Sequence, residues 1–222
     1  MKAIILAAGR GERLRPLTEH IPKPLAEVQG RPLLGWHLKH LLQAGFKDVV
    51  INVCWLKESI KNFVNQHAPA TLNIKISDEG NQALETGGGI KKALPLLGEK
   101  PFLAISADVF TDFNFNQFSP LSKNIWVHLV LVENPSHNPS GDFAIEKNKL
   151  TLKQAGKKSY TYSGIGIFHP DLFTDQNLGT TFKIAPLIKQ AIISGQATAQ
   201  IHHGMWSDVG TLERLDELNR QQ

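Results

Sequence analysis

The chain has 222 residues, of which 41% are hydrophobic and 20% are charged, and its formal net charge is +4. These values are ordinary for a globular protein with a full core, and the weak positive charge suits anionic substrates. A single cysteine excludes an internal disulfide, and the absence of an aromatic–basic stripe argues against nucleic acid as a partner. The apolar run at the N-terminus stops at Ala8, so it predicts neither a signal peptide nor a membrane span. We therefore expect a cytoplasmic protein that does not engage membranes.

The first half of the chain alternates segments typical of strands and of helices. Apolar runs predict buried strands, and Pro32 and Gly45 are natural start and stop signals for the first helix. The predicted strands cover residues 2–7, 49–53, 73–77 and 102–107, and the predicted helices cover residues 32–45, 57–67 and 90–97. This order with short connections predicts an α/β fold, with a mostly parallel sheet and helices on both faces.

The character of the chain changes after Asp108. Predicted strands at residues 126–132, 142–146, 150–154 and 160–168 now follow one another without helices between them. Such a run predicts an antiparallel portion of the sheet, which a helix at 183–194 and a last helix from Leu212 complete. Ligands of open sheets of this kind lie beyond the carboxyl ends of the strands.

A glycine-rich basic loop follows the first strand. Residues 9–18 read GRGERLRPLT, and Lys23 then stands between two prolines. Glycines let phosphate oxygens approach the backbone N–H groups, while Arg13 and Lys23 add positive charge. Two familiar phosphate loops fit less well, because Leu14 replaces the third glycine of the dinucleotide fingerprint and no Gly-Lys-Ser/Thr ends the loop. The structural alternative is a basic surface turn.

Asp108 is the second candidate for chemistry. It follows a buried predicted strand, opposite the glycine loop, and Mg²⁺ prefers hard carboxylate oxygens together with substrate phosphates and water. A helix cap or a solvated turn is the alternative. Asp208, in the segment WSDVGT at 206–211, is by itself part of an ordinary turn.

A third segment of interest reads ETGGG, at residues 85–89. Three glycines before a predicted helix remove side-chain bulk, so a flat base or a phosphate has room to lie against the backbone N–H groups. A flexible hinge is the alternative. Trp36 and Trp55 stand in amphipathic or apolar contexts, and we expect both in the core.

Together these segments closely resemble the signature of the sugar-1-phosphate nucleotidylyltransferases. The resemblance covers nearly the whole chain and is closest to a short branch, the bacterial N-acetylmuramate α-1-phosphate uridylyltransferases. Its segments are 6–18, 22–24, 84–90, 101–108, 141–143, 163–166 and 206–211. It implies a single domain with the GT-A-like nucleotidyltransferase fold, in which 1–112 bind the nucleotide and 113–222 mainly bind the sugar.

The resemblance also implies a reaction and its residues. A sugar 1-phosphate attacks UTP in the presence of Mg²⁺, and a UDP-sugar and pyrophosphate form, as in peptidoglycan recycling. Arg13 and Lys23 are the implied catalytic residues, and Asp108 and Asp208 the implied metal ligands. The implied nucleotide contacts are Ala8, Gly9, Gly11, Glu12, Arg13, Lys23, Glu85, Gly87 and Gly88. The implied sugar contacts are Ser106, Asp142 and Gly164.

The sequence departs from the family at Ser106 and Ala107, where similar uridylyltransferases usually carry Asn-Gly. The identity of the sugar is therefore open. Alternative pairs are mannose 1-phosphate with GTP, glucose 1-phosphate with TTP or UTP, and phosphocholine with CTP. A glycosyltransferase would typically want Asp-x-Asp, but residue 110 is Phe. A non-catalytic regulatory module of the same fold is the remaining alternative. We expect only small-molecule substrates as partners, and the oligomeric state is open.

Overall fold

A computed structural model of the protein describes residues 1–220. The helices are α1 Leu33–Gln43, α2 Lys57–His67, α3 Glu85–Leu97, α4 Ala185–Ile193 and α5 Leu212–Arg220. The strands are β1 Ala3–Leu6, β2 Glu27–Val28, β3 Arg31–Pro32, β4 Asp48–Val53, β5 Asn73–Asp78, β6 Phe102–Ser106, β7 Val109–Thr111, β8 Val127–Val132, β9 Phe143–Glu146, β10 Lys149–Leu152, β11 Thr161–Phe168, β12 Ala197–His202 and β13 Trp206–Asp208. Residues 221 and 222, the end of the predicted domain, lie outside the described part.

The central sheet has nine strands in the order β5-β4-β1-β6-β11-β8-β12-β10-β9. The first four strands are parallel, with Ile4 of β1 opposite Val50 of β4 and Ala104 of β6. Strand β11 then pairs antiparallel with β6 and β8, and β9 and β10 form an antiparallel edge. This confirms the predicted mixed sheet, because the segments without crossover helices are those that pair antiparallel.

Helices cover both faces of the sheet, as predicted. Successive residues of β1 point to opposite faces. Ile4 joins a buried cluster with Ile90 of α3 and Ile188 of α4, while Ile5 joins a second cluster with Leu38 of α1 and Ile60 of α2. The carboxyl ends of β1, β4, β5 and β6 therefore open between two helical layers, at one edge of the molecule.

A third buried cluster brings the two ends of the chain together. Leu14 of the glycine loop packs in it with Phe110 of β7, Val209 and Leu218 of α5. The short strands β7 and β13 pair antiparallel next to this cluster. The segment that follows β6 and the segment before α5 therefore lie side by side. Within residues 1–220, every helix is too short or too polar to cross a membrane.

The start of α3 differs from the sequence prediction. The helix begins at Glu85, so the three glycines form its first turns instead of preceding it, and the predicted start at residue 90 was wrong. Glycine costs about 1 kcal/mol in a helix interior, which is why propensity favoured a loop. Tertiary packing decides the outcome here: residues around Phe182 fill the space that side chains at 87 and 88 would need, and Glu79 and Asn52 fill it at 89.

Candidate active site

A cavity of about 720 Å³ opens at the carboxyl ends of the four parallel strands. From the glycine loop, the residues that line it include Ala8, Gly9, Gly11, Glu12 and Arg13. From the rest of the predicted set, Lys23, Glu85, Ser106 and Asp108 line it as well. Nine of the predicted site residues, separated by up to a hundred positions in the chain, thus meet around one space.

The glycine loop has a fixed shape. Gly11 has φ +66°, and a Cβ added there would lie 2.9 Å from the Thr18 methyl group and 3.1 Å from Cβ of Lys23. The Thr18 hydroxyl donates to the Gly11 carbonyl at 2.8 Å. Only glycine suits this conformation and this close approach. At Gly9 an added Cβ would meet no atom within 4 Å, so its backbone stands open to a ligand.

Trp55 supports the glycine loop, a role that sequence reasoning missed. The residue is half-buried instead of lying in the core, and its indole N–H donates to the Thr18 carbonyl at 3.0 Å. The guanidinium of Arg10 lies over the indole ring, 5.2 Å from the ring centroid. Arg10 also lines the cavity. The electrons of the indole face attract the cation, and this attraction holds the Arg10 guanidinium in a defined orientation.

Lys23 and Asp108 form an ion pair at the cavity wall. Nζ of Lys23 lies 2.5 Å from Oδ2 of Asp108, and the two side chains are 13% and 29% exposed. Pro22 is extended, and Lys23 and Pro24 begin a short 3-10 turn, so the lysine backbone is held between two residues with restricted φ. The ion pair and the turn together fix the orientation of the Lys23 side chain. They also place a positive and a negative charge next to each other at the cavity wall.

Asp208 lies close to Asp108 along the backbone. Asp208 of β13 pairs with Val109 of β7, and the Val209 N–H donates to the Asp108 carbonyl at 2.8 Å. The Asp208 side chain is held by two other groups: Oδ1 lies 2.5 Å from Nη1 of Arg214 and 3.0 Å from Nε2 of His137. Asp208 is absent from the residues that line the cavity, whereas Gly210 lines it.

The side chains of Asp108 and Asp208 offer carboxylate oxygens, the type of ligand atom that Mg²⁺ prefers. Both are partly exposed carboxylates, and both already lie against cationic side chains. Within residues 1–220, His, Cys, Asp and Glu form no cluster of three or more that would hold an ion unaided. An ion at this place would therefore draw its remaining ligands from phosphate oxygens and water, which is the common arrangement for Mg²⁺.

The predicted sugar contacts lie in two places. Gly164, at a bulge of β11 with φ +78°, stands against Ser106, and a Cβ added there would lie 2.8 Å from the serine oxygen. Asp142 is exposed at the start of β9, where its carboxylate accepts the Tyr162 N–H at 2.9 Å and the Asn138 amide at 3.2 Å. Of these three residues, Ser106 lines the cavity. The roles of Asp142 and Gly164 stay predictions.

The glycines at 87–89 are packed against protein. The N–H groups of Gly87 and Gly88 donate to the Phe182 carbonyl at 3.0 and 3.1 Å, and a Cβ at Gly88 would lie 2.3 Å from the Thr180 carbonyl oxygen. Neither glycine lines the cavity, although Glu85 and Thr86 do. The contacts predicted for Gly87 and Gly88 with nucleotide stay predictions, and the structure gives both residues a packing role.

Four polar residues of the cavity lie outside every functional segment singled out from the sequence: Asn52, Glu79, Gln82 and Thr181. Asn52 and Glu79 are 3% and 6% exposed, and burial raises the pKa of the Glu79 carboxyl. A polar residue near the end of an apolar strand is the signal that would have found Asn52.

A glycine loop, a lysine–aspartate pair and a mixed sheet with the site at its parallel strand ends define a nucleotide-binding transferase fold. The family model described as "Nucleotidyl transferase" matches residues 2–222, and the chain belongs to this family.

Its relatives include an N-acetylmuramate alpha-1-phosphate uridylyltransferase from Neisseria meningitidis serogroup B, which is 46% identical over 98% of this chain and 96% of that relative. A protein with the same description from Caulobacter vibrioides is 33% identical over 94% of this chain and 91% of its own. Among solved structures, HddC from Yersinia pseudotuberculosis, complexed with GMP-PN, superposes with a TM-score of 0.80 at 22% identity, over 99% of this chain and 98% of that chain. The predicted family and fold are thereby confirmed.

Proposed function

We propose that this protein makes UDP-N-acetylmuramic acid and pyrophosphate from UTP and N-acetylmuramic acid α-1-phosphate, as a step of peptidoglycan recycling. The observation that carries the proposal is the single cavity around which Gly9, Gly11, Arg13, Lys23 and Asp108 meet. The substrate pair rests on the described activity of the two uridylyltransferase relatives. The reaction belongs in the cytoplasm, where nucleoside triphosphates are available.

The proposed mechanism depends on positioning and charge. An oxygen of the sugar phosphate attacks the α-phosphorus of UTP, and the bond from that phosphorus to the bridging oxygen of pyrophosphate breaks on the opposite side. No proton transfer is needed, so the protein contributes alignment and charge stabilisation. The open backbone at Gly9 and the N–H groups of the loop hold the triphosphate, and Arg13 neutralises the pyrophosphate as it leaves.

Lys23 lies where the two substrates meet in this mechanism. Its ammonium group, now paired with Asp108, bridges the α-phosphate and the sugar phosphate once both are bound. Asp108 and Asp208 are the residues that would hold Mg²⁺. The ion, when bound, offsets the negative charge that develops on the phosphate oxygens. Ser106, Asp142 and the backbone at Gly164 contact the sugar.

The test is pyrophosphate release with a panel of substrates. UTP, GTP, TTP and CTP are each combined with the 1-phosphates of N-acetylmuramic acid, mannose and glucose, and with phosphocholine, at fixed Mg²⁺. We expect the highest kcat/KM for UTP with N-acetylmuramic acid 1-phosphate. A clearly better pair would overturn the substrate assignment and keep the reaction class. No release with any pair would favour a non-catalytic module.

A further inference from the structure

Two buried polar side chains connect the glycine loop to α3. Asn52 near the end of β4 accepts the Ala7 N–H with Oδ1 at 2.7 Å, and its amide nitrogen donates to Oε1 of Glu79 at 2.6 Å. The other oxygen of Glu79, Oε2, accepts the Leu84 N–H at 2.7 Å. We call Asn52 and Glu79 the amide–acid pair. It joins the residue after β1 to the residue before α3 through three consecutive hydrogen bonds.

The surroundings of the amide–acid pair are shaped to admit it. A Cβ added at Gly89 would lie 2.4 Å from Oε1 of Glu79 and 2.6 Å from the amide nitrogen of Asn52. Glycine at this position leaves room for the pair. Burying a carboxylate and an amide costs free energy, and hydrogen bonds to each of their polar atoms offset that cost. The hydrogen bonds give each of these four polar atoms a partner, with a backbone donor at each end.

We propose that Asn52 and Glu79 are positioning residues for nucleotide binding, which hold the glycine loop and the start of α3 at a fixed separation before the nucleotide arrives. The inference rests on the proposed nucleotidyl transfer, and it deepens that function. Ala7 precedes the glycine loop, the proposed triphosphate site, and Leu84 precedes Glu85 and Thr86, which line the same cavity. Binding to two prearranged walls avoids the cost of ordering them.

The hydrogen-bond polarity of the pair allows a strict test by exchange of acid and amide. Glu79→Gln offers one acceptor where Leu84 and Asn52 both donate, so one donor loses its partner. Asn52→Asp sets two carboxylates against each other. In the double variant the new aspartate accepts from Ala7 and from the new glutamine, whose oxygen accepts from Leu84. The double variant therefore restores all three bonds and conserves the net charge.

The chain also contains a matched control. Asn73 and Asp48 form an amide–acid pair across the same two strands at their opposite, exposed end, with Nδ2 2.7 Å from Oδ1. The exchanges Asn73→Asp, Asp48→Asn and both together change the same chemistry away from the cavity. They should leave nucleotide binding unchanged.

The measurements are the dissociation constant of UTP by calorimetry, the KM for UTP and for sugar phosphate, and the melting temperature. We expect each single exchange at 52 or 79 to weaken UTP binding about tenfold, because a buried donor or acceptor without its partner no longer holds the two segments at a fixed separation, and the nucleotide must then order them. The double variant should return to within about twofold of wild type, and the KM for sugar phosphate should stay constant. If a single variant does not fold, Asn52→Ala, which leaves room for a water, takes its place with the same expected loss.

Several outcomes overturn the inference. Variants with a lower melting temperature but unchanged UTP affinity would show that the pair serves stability alone. A double variant that binds UTP no better than the singles would exclude the hydrogen-bond mechanism. A wild-type protein that binds UTP yet releases no pyrophosphate would refute the proposed function and leave this test intact, whereas one that binds no nucleotide would refute both.

Discussion

The two halves of the candidate site are held in different ways. In the nucleotide half, buried side chains satisfy backbone N–H groups: Asn52 accepts from Ala7, and Glu79 accepts from Leu84. The second half, which we call the metal half, contains Asp108 and Asp208, the proposed metal ligands; there the carboxylate of Asp208 is held by Arg214 and His137, which are themselves partly exposed. The first half is thus fixed by contacts that a ligand need not disturb, whereas the second is fixed by contacts that an ion would replace.

This contrast predicts an order of events. The nucleotide half has its backbone oriented in the free protein, so the triphosphate meets a prearranged surface. If Asp208 holds the proposed Mg²⁺, it must change partners when the ion arrives, because its Oδ1 already lies against the Arg214 guanidinium. Lys23 lies at the border between the halves, since it lines the cavity and pairs with Asp108. Substitutions on each side should therefore affect different kinetic constants.

The largest effect is expected at this border. Lys23→Ala should lower kcat about a hundredfold or more, the scale on which loss of one preorganised charge stabiliser acts. The reason is that no other lysine lines the cavity within the described residues. The measurement is the kcat of Lys23→Ala and of wild type, from steady-state pyrophosphate release at saturating UTP and Mg²⁺.

Lys57→Ala is the matched control for that variant. Lys57 also pairs with an aspartate at a strand end, with Nζ 3.0 Å from Oδ1 of Asp78, but it lies outside the lining of the cavity. We expect its kcat to stay within about twofold of wild type, because exposed ion pairs contribute little. Equal losses in the two variants would mean that Lys23 acts only through general electrostatics or stability.

Much of this fold could be predicted, because buried strands appear in the sequence as apolar runs. The bounds of β1, β4, β6, α1 and α2 were predicted to within two residues for that reason, whereas the start of α3 was missed by five. The pairs β2–β3 and β7–β13 were not predicted. Strands of two or three residues are too short for a pattern to appear, and they exist here because tertiary contacts align them.

The site could be predicted only where the chemistry is local. Glycine and charge in residues 9–23 predict a phosphate loop, but the supports of that loop lie far away in sequence. Asn52 and Glu79 are 27 positions apart and meet only because β4 and β5 are parallel neighbours. Trp55 was wrongly expected in the core, since an aromatic ring in an apolar context does not reveal that an arginine will cover it.

The second prediction concerns Asp208 and its ion-pair partner Arg214. Asp208→Asn should raise the Mg²⁺ concentration for half-maximal activity about tenfold, equivalent to a loss of about 1.4 kcal/mol. Arg214→Ala should shift it in the opposite direction, because the guanidinium no longer competes for Oδ1. Magnesium titrations at saturating UTP measure both. The double variant Asp108→Asn/Asp208→Asn should lose less catalytic free energy, calculated from kcat, than the sum of the losses in the two single variants.

Two results would contradict this prediction. If Asp208→Asn left the magnesium curve unchanged, Asp208 would serve only to hold Arg214 and the start of α5. If Arg214→Ala raised the magnesium requirement, the arginine would be orienting Asp208 toward the ion instead of competing with it.

The third prediction concerns the nucleotide half and is smaller. Arg10→Ala should raise the KM for UTP by up to about fivefold with kcat nearly unchanged, since an exposed cation contributes up to about 1 kcal/mol. Raised salt should reduce the difference between variant and wild type. Arg15→Ala, an exposed arginine of the same loop outside the cavity lining, is the control and should leave KM unchanged. A loss in kcat with unchanged KM would place Arg10 at the leaving pyrophosphate.

The smallest effect is expected for Ser106→Asn, which introduces the amide that similar uridylyltransferases usually carry. Ser106 lines the cavity and stands against Gly164, whose lack of a side chain leaves space next to the serine oxygen. A single hydrogen bond gained or lost at this partly exposed place should change affinity by the low end of its usual range, about 0.5 kcal/mol or roughly twofold. We therefore expect a change of this size in the KM for sugar phosphate, while the KM for UTP stays constant. Ser119→Asn, at an exposed position outside the cavity, is the control. If Ser106→Asn changed only the KM for UTP, Ser106 would belong to the nucleotide half, and the division of the site proposed above would have to be redrawn at β6.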